Sequence, residues 1–244
     1  MSSAEAAARN DDLWKNAFGE MQPAGPVHRH MRRLLGDVLA GLDYRTVVDI
    51  GCGAGDNVDL LGSSGGVERL VGIDVSTEAL ARASRRAPAE YHSLDVQTDR
   101  LRERFDLVFS SLLLEHVEDD LAALRNMRAM CRRWLVVSTI AGDFERYRAW
   151  DEQMGHVRNY ARGELERRLE DAGFEVASAR YWGFPFYSPL ARVVQNFTCA
   201  SPEFSRSERL LAAALYRLYF LNSKRRGDLL IILAQPTSGP TDDA

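Results

Sequence analysis

Apolar positions along the 244 residues keep two rhythms. Spacings of three and four, the mark of one helix face, run through Leu13, Trp14, Ala17 and Phe18 and again from Val27 through Leu34, Leu35, Val38, Leu39 and Leu42. Pro23, Gly25 and Pro26 break the chain between them. Short, largely β-branched runs then read as buried strands over 47–50, 69–74, 90–94, 105–110, 134–139, 174–181 and 228–233. Helical patterns separate them after Asp56, over 77–86 and 119–130, in a segment ending at Gly173, and over 207–222. Strands alternating with helices predict an α/β fold with a mostly parallel sheet. The length suits one domain able to bury a substantial core.

Chemistry concentrates first at Val47-Val48-Asp49-Ile50-Gly51-Cys52-Gly53-Ala54-Gly55-Asp56-Asn57, where an acidic residue near a strand end precedes three glycines at alternate positions. Without Cβ atoms such a turn can take positive φ angles and let a ligand lie against the backbone. The dinucleotide fingerprint G-x-G-x-x-G would need glycine at position 56, which is Asp56. A carboxylate there would also repel a pyrophosphate. The stretch instead resembles motif I of the class I S-adenosylmethionine-dependent methyltransferases, an acidic residue followed by x-G-x-G-x-G, matched by Asp49, Gly51, Gly53 and Gly55.

The resemblance extends over residues 45–180 and implies a doubly wound, seven-stranded sheet with an antiparallel last strand and helices on both faces. It implies S-adenosylmethionine as cofactor. Asp74, 19 residues beyond Gly55, ends the second strand where a carboxylate can accept from both ribose hydroxyls. Asp95 and Val96 match the family's adenine-binding pair, and the resemblance implies that Ser110, at the end of the fourth strand, lies beside the sulfonium. Cys52 and Val75 neighbour these positions and join the expected cofactor set. Ser111-Leu112-Leu113-Leu114-Glu115-His116-Val117 resembles the family's motif after strand four, in which a histidine often faces the substrate. His116 is therefore the first choice for a general base, His156 the second, and Tyr160 a positioning group. Asp106 begins its strand, at the wrong end for the site, and reads as structural.

The remaining segments are expected to cap this site. Residues 1–44 form N-terminal cap helices, with residues 1–10 too polar to pack, and Trp14, His28, Arg29 and Arg32 are candidates for the methionine end of the cofactor. Residues 45–140 form the cofactor-binding half, 141–162 an aromatic lid, 184–226 a cap insertion and 235–244 a disordered tail. The helix near 207–222 is apolar on more than one face and is expected to be buried in a cap or a homodimer contact.

Net charge is −4, so no basic field favours nucleic acid. No apolar run approaches the ~20 residues of a membrane span. Cys52, Cys131 and Cys199 form no C-x-x-C pair, which speaks against a disulfide framework and a zinc site and for a cytoplasmic protein. No H-E-x-x-H or nucleophile-elbow pattern is present, and no metal is expected. The resulting expectation is a bacterial methyltransferase acting on oxygen or nitrogen of a small-molecule acceptor in natural-product biosynthesis. The alternatives are an enzyme that transfers or cyclises another part of the same cofactor, and a nicotinamide oxidoreductase.

Overall fold

The computed structural model describes residues 3–16, 21–63, 65–189 and 204–237. Seven strands, β1 Thr46–Ile50, β2 Arg69–Asp74, β3 Glu90–Ser93, β4 Phe105–Ser111, β5 Cys131–Ile140, β6 Phe174–Trp182 and β7 Leu229–Pro236, form one sheet in the order β3-β2-β1-β4-β5-β7-β6. All pairs from β3 to β5 are parallel, and β7 runs antiparallel between β5 and β6. The chain leaves β1 toward β2 on one side and enters β4 on the other. The crevice that opens at such a reversal is where ligands bind in open α/β sheets.

The helices are α1 Ser3–Asn16, α2 Met21–Ala24, α3 Pro26–Leu39, α4 Val58–Gly62, α5 Thr77–Arg86, α6 Asp120–Met130, α7 Phe144–Gln153, α8 Glu164–Asp171 and α9 Arg206–Leu218. Local chemistry fixes their starts. The Ser76 hydroxyl accepts from Ala79 N at 3.1 Å and the Asp119 carboxylate from Ala122 N at 2.9 Å, satisfying first-turn N–H groups of α5 and α6. Pro26 sits in the first turn of α3, where its missing N–H costs nothing. One face of the sheet packs Val48, Ile50, Val108 and Val137 against Leu124 and Met127 of α6 and Leu165 of α8. The other packs Val47, Leu107, Phe109 and Val136 against Leu34, Leu35 and Val38 of α3.

Asp106 has the structural role expected of it. Its Oδ2 accepts from Arg45 N, Thr46 N and the Thr46 hydroxyl, each at 3.1 Å, which ties β4 to β1 at the end away from the crevice.

Three expectations change. From Ser3 onward the first ten residues are not a free tail, because they belong to α1, which is pinned to α5: Asp11 accepts from the Ser76 hydroxyl and, at 3.2 Å, from Glu78 N. Gln235 and Pro236 belong to β7, whose pairing with β6 continues to Phe174 opposite Pro236; positions 238–244 of the expected tail lie outside the described residues. The amphipathic α9 is not enclosed by a cap among the described residues, the first of the two burials expected of it. It rests on α3, where His30 Nε2 bonds the Tyr216 carbonyl at 2.7 Å, and leaves Leu210 74% exposed, so the apolar second face meets solvent in this chain. Ala17, Phe18, Cys199 and positions 190–203 of the cap insertion also lie outside the described residues.

Candidate active site

The glycine turn after β1 is held by the neighbouring strand. Gly51 N and Cys52 N both donate to Ile73 O, at 2.8 and 3.0 Å, and Gly53 N donates to Asp74 Oδ2 at 2.9 Å. Gly51, Gly53 and Gly55 have φ of 74°, 54° and 78°, a region that side chains strain. At Gly53 space is also exhausted, since an added Cβ would stand 2.4 Å from Cζ2 of Trp14. Trp14 thus lies over the turn from α1, and both line the crevice.

Asp49 ends below this turn, fully buried, with neither carboxylate oxygen partnered among the described residues. Burial first, then the charges of Asp74 and Asp56, push its carboxyl up to about 8. A buried acid with both oxygens unsatisfied is a place for a cationic or donor group. Asp74 is better served: Oδ1 accepts from Ser76 N at 2.8 Å, so the side chain braces both the turn and the start of α5. Asp95 accepts from Gln97 N at 2.9 Å, and Asp95, Val96 and Gln97 line the crevice beside Asp74 and Val75.

Not every expected residue is brought there. Arg29 turns away and stacks its guanidinium 3.8 Å from the Tyr216 ring centroid. One helical turn further on, Arg32 lines the crevice instead, anchored to Gln22 O at 2.9 Å and Pro23 O at 2.7 Å. His28 lines it too, and burial, followed by the Arg32 charge, lowers its pKa to about 4, so the ring is neutral. Ser110 is buried within β4; Ser111 and Leu112 take the place at the crevice. Tyr160 is buried away from the crevice lining. Its hydroxyl donates to Asp120 Oδ2 at 2.8 Å, a buried carboxylate also paired with the half-buried Arg158 and Arg168, and its main chain bonds Ile140 O and Gly142 N. It anchors the lid. Asp56, read as a repelling charge, is ion-paired with Arg86, so the missing third glycine alone argues against a dinucleotide.

The opposite end of the crevice holds a group that sequence reasoning assembled only in part. His116, in the single 3₁₀ turn Leu114–His116 after β4, places Nδ1 3.1 Å from Gly155 O. His156, just after α7, places Nδ1 3.0 Å from Asp151 Oδ1, and Asp151 Oδ2 accepts from Asn159 at 2.9 Å. The rings meet edge to face at 4.8 Å between centroids. Between them lies Glu115, fully buried, whose Oε2 accepts from the Thr139 hydroxyl at 2.8 Å. Burial raises its carboxyl above the ordinary range. Val157 N donates to Glu115 O at 2.7 Å, which docks the segment after α7 directly on this turn. Glu115 was missed because an interior glutamate beside a histidine has no fixed spacing to a histidine 41 positions later. The positive φ of 54° at Leu112, unusual for a leucine, was equally invisible.

The sequence model of a methyltransferase domain matches residues 20–179. The chain belongs to the class I S-adenosylmethionine-dependent methyltransferase family. Among curated relatives, a ubiquinone biosynthesis O-methyltransferase of Coxiella burnetii (strain Dugway 5J108-111) is 27% identical over 154 residues, taking in 59% of this chain and 64% of the relative. The chain therefore spans just under two thirds of that protein's length. Family membership is matched by the fold of solved structures. The N-methyltransferase NodS of Bradyrhizobium japonicum WM9, solved with S-adenosyl-l-homocysteine, superposes with a TM-score of 0.61 at 18% identity, covering 95% of this chain and 98% of that one. The [4+2]-cyclase SpnF superposes with a TM-score of 0.62 at 17% identity, covering 98% and 97%. In this family the crevice at the strand ends is the cofactor site, and the residues present fit it: a glycine floor with no room for a Cβ, and an unsatisfied buried acid beneath it.

Among the described residues no helix is long and apolar enough to cross a membrane.

Proposed function

We propose that this protein transfers a methyl group from S-adenosylmethionine to an oxygen or nitrogen of a small-molecule acceptor, within bacterial specialised metabolism. The observation that carries the reading is a single crevice with two chemically different ends, the glycine turn with Asp49, Asp74 and Asp95 at one and Glu115, His116 and His156 at the other. Bound at the first end, S-adenosylmethionine supplies an electrophilic methyl on a positively charged sulfur that leaves neutral.

The chain's own residues then have three tasks. Asp74 holds the ribose, Asp95 and Val96 the adenine, and Gly51, Cys52, Gly53 and Asp49 the methionine end, with Trp14 closing over the turn. That fixes the methyl in line with an incoming lone pair. Trp14, Leu112 and Leu113 exclude water from the pair, which strengthens every electrostatic contact inside. Glu115, His116 and His156 receive the acceptor and activate a hydroxyl. An imidazole whose Nδ1–H is committed to a carbonyl or carboxylate is fixed in the tautomer that accepts at Nε2. The relative named for ubiquinone biosynthesis supports a small acceptor, and a net charge of −4 supports neutral or cationic ones over nucleic acid.

The test is incubation with S-adenosylmethionine and a panel of phenols, enols and amines, followed by mass spectrometry for a methyl-sized gain and S-adenosylhomocysteine in equal amount. A second reading comes from the likeness to a cyclase. Methylthioadenosine, or acceptor rearrangement without cofactor consumption, would favour it and remove methyl transfer.

A further inference from the structure

Three groups at the acceptor end are arranged as ligands. One donor atom each from Glu115, His116 and His156 lies within 4.8 Å of the other two. A cation centred among atoms so spaced would stand within roughly 2.8 Å of all three, against the ~2.0–2.2 Å of a bound ion. Side-chain rotations of under an ångström close that gap. Each group also has the outer partner that ligands of a transition metal need to hold tautomer and direction. His116 Nδ1 donates to Gly155 O at 3.1 Å, His156 Nδ1 to Asp151 Oδ1 at 3.0 Å, and the Glu115 Oε2 accepts from Thr139 at 2.8 Å. Both Nδ1 commitments put the ring lone pair on Nε2.

A second observation points to a ligand independently. Glu115 is fully buried, yet its Oε1 has no hydrogen-bond partner among the described residues, while the residue lines the crevice. A buried carboxylate oxygen left in that state is costly unless a cation or donor meets it. Two imidazoles and one carboxylate with an open side are a donor set for borderline divalent metals and not for Mg²⁺ or Ca²⁺, which take oxygen ligands.

We propose that Glu115, His116 and His156 bind one divalent first-row transition-metal cation, with its open position toward the acceptor. The inference rests on the methyl-transfer reading and names its acceptor class: a hydroxyl compound, phenolic or enolic, whose oxygen enters that open position. With both Nε2 lone pairs on the cation, activation of the hydroxyl passes from the imidazoles to the metal, which would lower its pKa, and the O–H proton leaves to water. The oxygen lone pair forms the new C–O bond as the C–S bond breaks, and the sulfur keeps the bonding pair. The products are methyl ether, neutral S-adenosylhomocysteine and one proton, with no change of oxidation state.

The test uses the full-length protein stripped with a chelator and dialysed. Titration with Zn²⁺ by calorimetry, and with Co²⁺ by its visible absorption, is expected to give one site per chain. Affinity should fall at least 30-fold in Glu115→Gln, which keeps the side-chain shape, and in His156→Ala, with melting curves confirming the fold. His116→Gln provides a third variant should either fail to fold. No stoichiometric Zn²⁺ or Co²⁺ binding, or equal binding in folded variants, overturns the site. S-adenosylmethionine titration of the stripped protein runs in parallel. Cofactor binding retained without metal binding rejects the cation alone, whereas loss of cofactor binding rejects the methyl-transfer reading.

Discussion

At the cofactor end of the crevice the polar groups stand on strand ends and the turns right after them, where strand order alone brings Asp49, Asp74 and Asp95 together. At the acceptor end the groups come from two segments 40 residues apart, joined by lid docking: Val157 N to Glu115 O at 2.7 Å and His116 to Gly155 O at 3.1 Å. The first end is therefore set by the sheet, the second by a loop that must find its seat. The two should fail separately. A change at one end should alter cofactor affinity and a change at the other turnover.

The largest effect is expected at His116. His116→Ala should lower turnover by roughly 10²–10⁴ while the S-adenosylmethionine dissociation constant stays within about twofold. Single-turnover kinetics alongside calorimetry checks both halves. A comparable loss of cofactor affinity would join the two ends and end the comparison. Gly53→Val attacks the other end. The positive φ alone strains a β-branched residue by ~1–3 kcal/mol, and the collision with Trp14 adds to it. Cofactor affinity should fall at least ~10–100-fold, and calorimetry showing wild-type affinity would mean that the turn is not the floor.

Asp74→Ala is expected to weaken the cofactor by ~1.5–3 kcal/mol through lost charge-assisted hydrogen bonds. The structure sharpens this prediction, because Asp74 also accepts from Gly53 N and Ser76 N. Asp74→Asn keeps one acceptor oxygen for those backbone groups, so it should recover much of the melting temperature but less of the affinity. Equal recovery of both would make Asp74 a brace and not a ribose ligand.

How much of this was legible follows the same division. The seven strands, the glycine turn and the acidic residues at strand ends were readable because periodicity and turn chemistry are local. α1 packing on α5 was not, since its anchor is one long-range contact from Asp11 to the start of another helix. Arg29 and Arg32 are one helical turn apart, and no sequence signal says which of them α9 will cover. Tyr160 looked like a site residue because it lies in the lid; only the structure reveals Asp120, Arg158 and Arg168 waiting for it. Glu115 was passed over because its role depends on the seat that the lid takes.

The last prediction concerns Asp49, is read in melting temperature and not in turnover or affinity, and asks whether the cofactor end carries a cost when empty. Its carboxyl, at about 8 in the fold, has an ordinary value near ~3.9 in the unfolded chain. The folded protein therefore holds a proton there that the unfolded chain releases between those limits. The stability that protonation supplies is complete below about pH 4 and declines as pH rises toward 8, by at most ~1.4 kcal/mol per pH unit. The groups that face this carboxyl include Asp74 and Asp56, whose charges raise it further. Asn at position 49 copies the protonated acid and does not titrate. Without cofactor, the melting temperature of Asp49→Asn should therefore match wild type near pH 4–5 and exceed it progressively toward pH 8, by ~2–4 °C for each kcal/mol. Differential scanning calorimetry across that range decides it. A gap independent of pH would mean that the Asp49 carboxyl is ionised in the fold, already satisfied by a group at the cofactor end, and that this end is as settled when empty as the sheet that carries it.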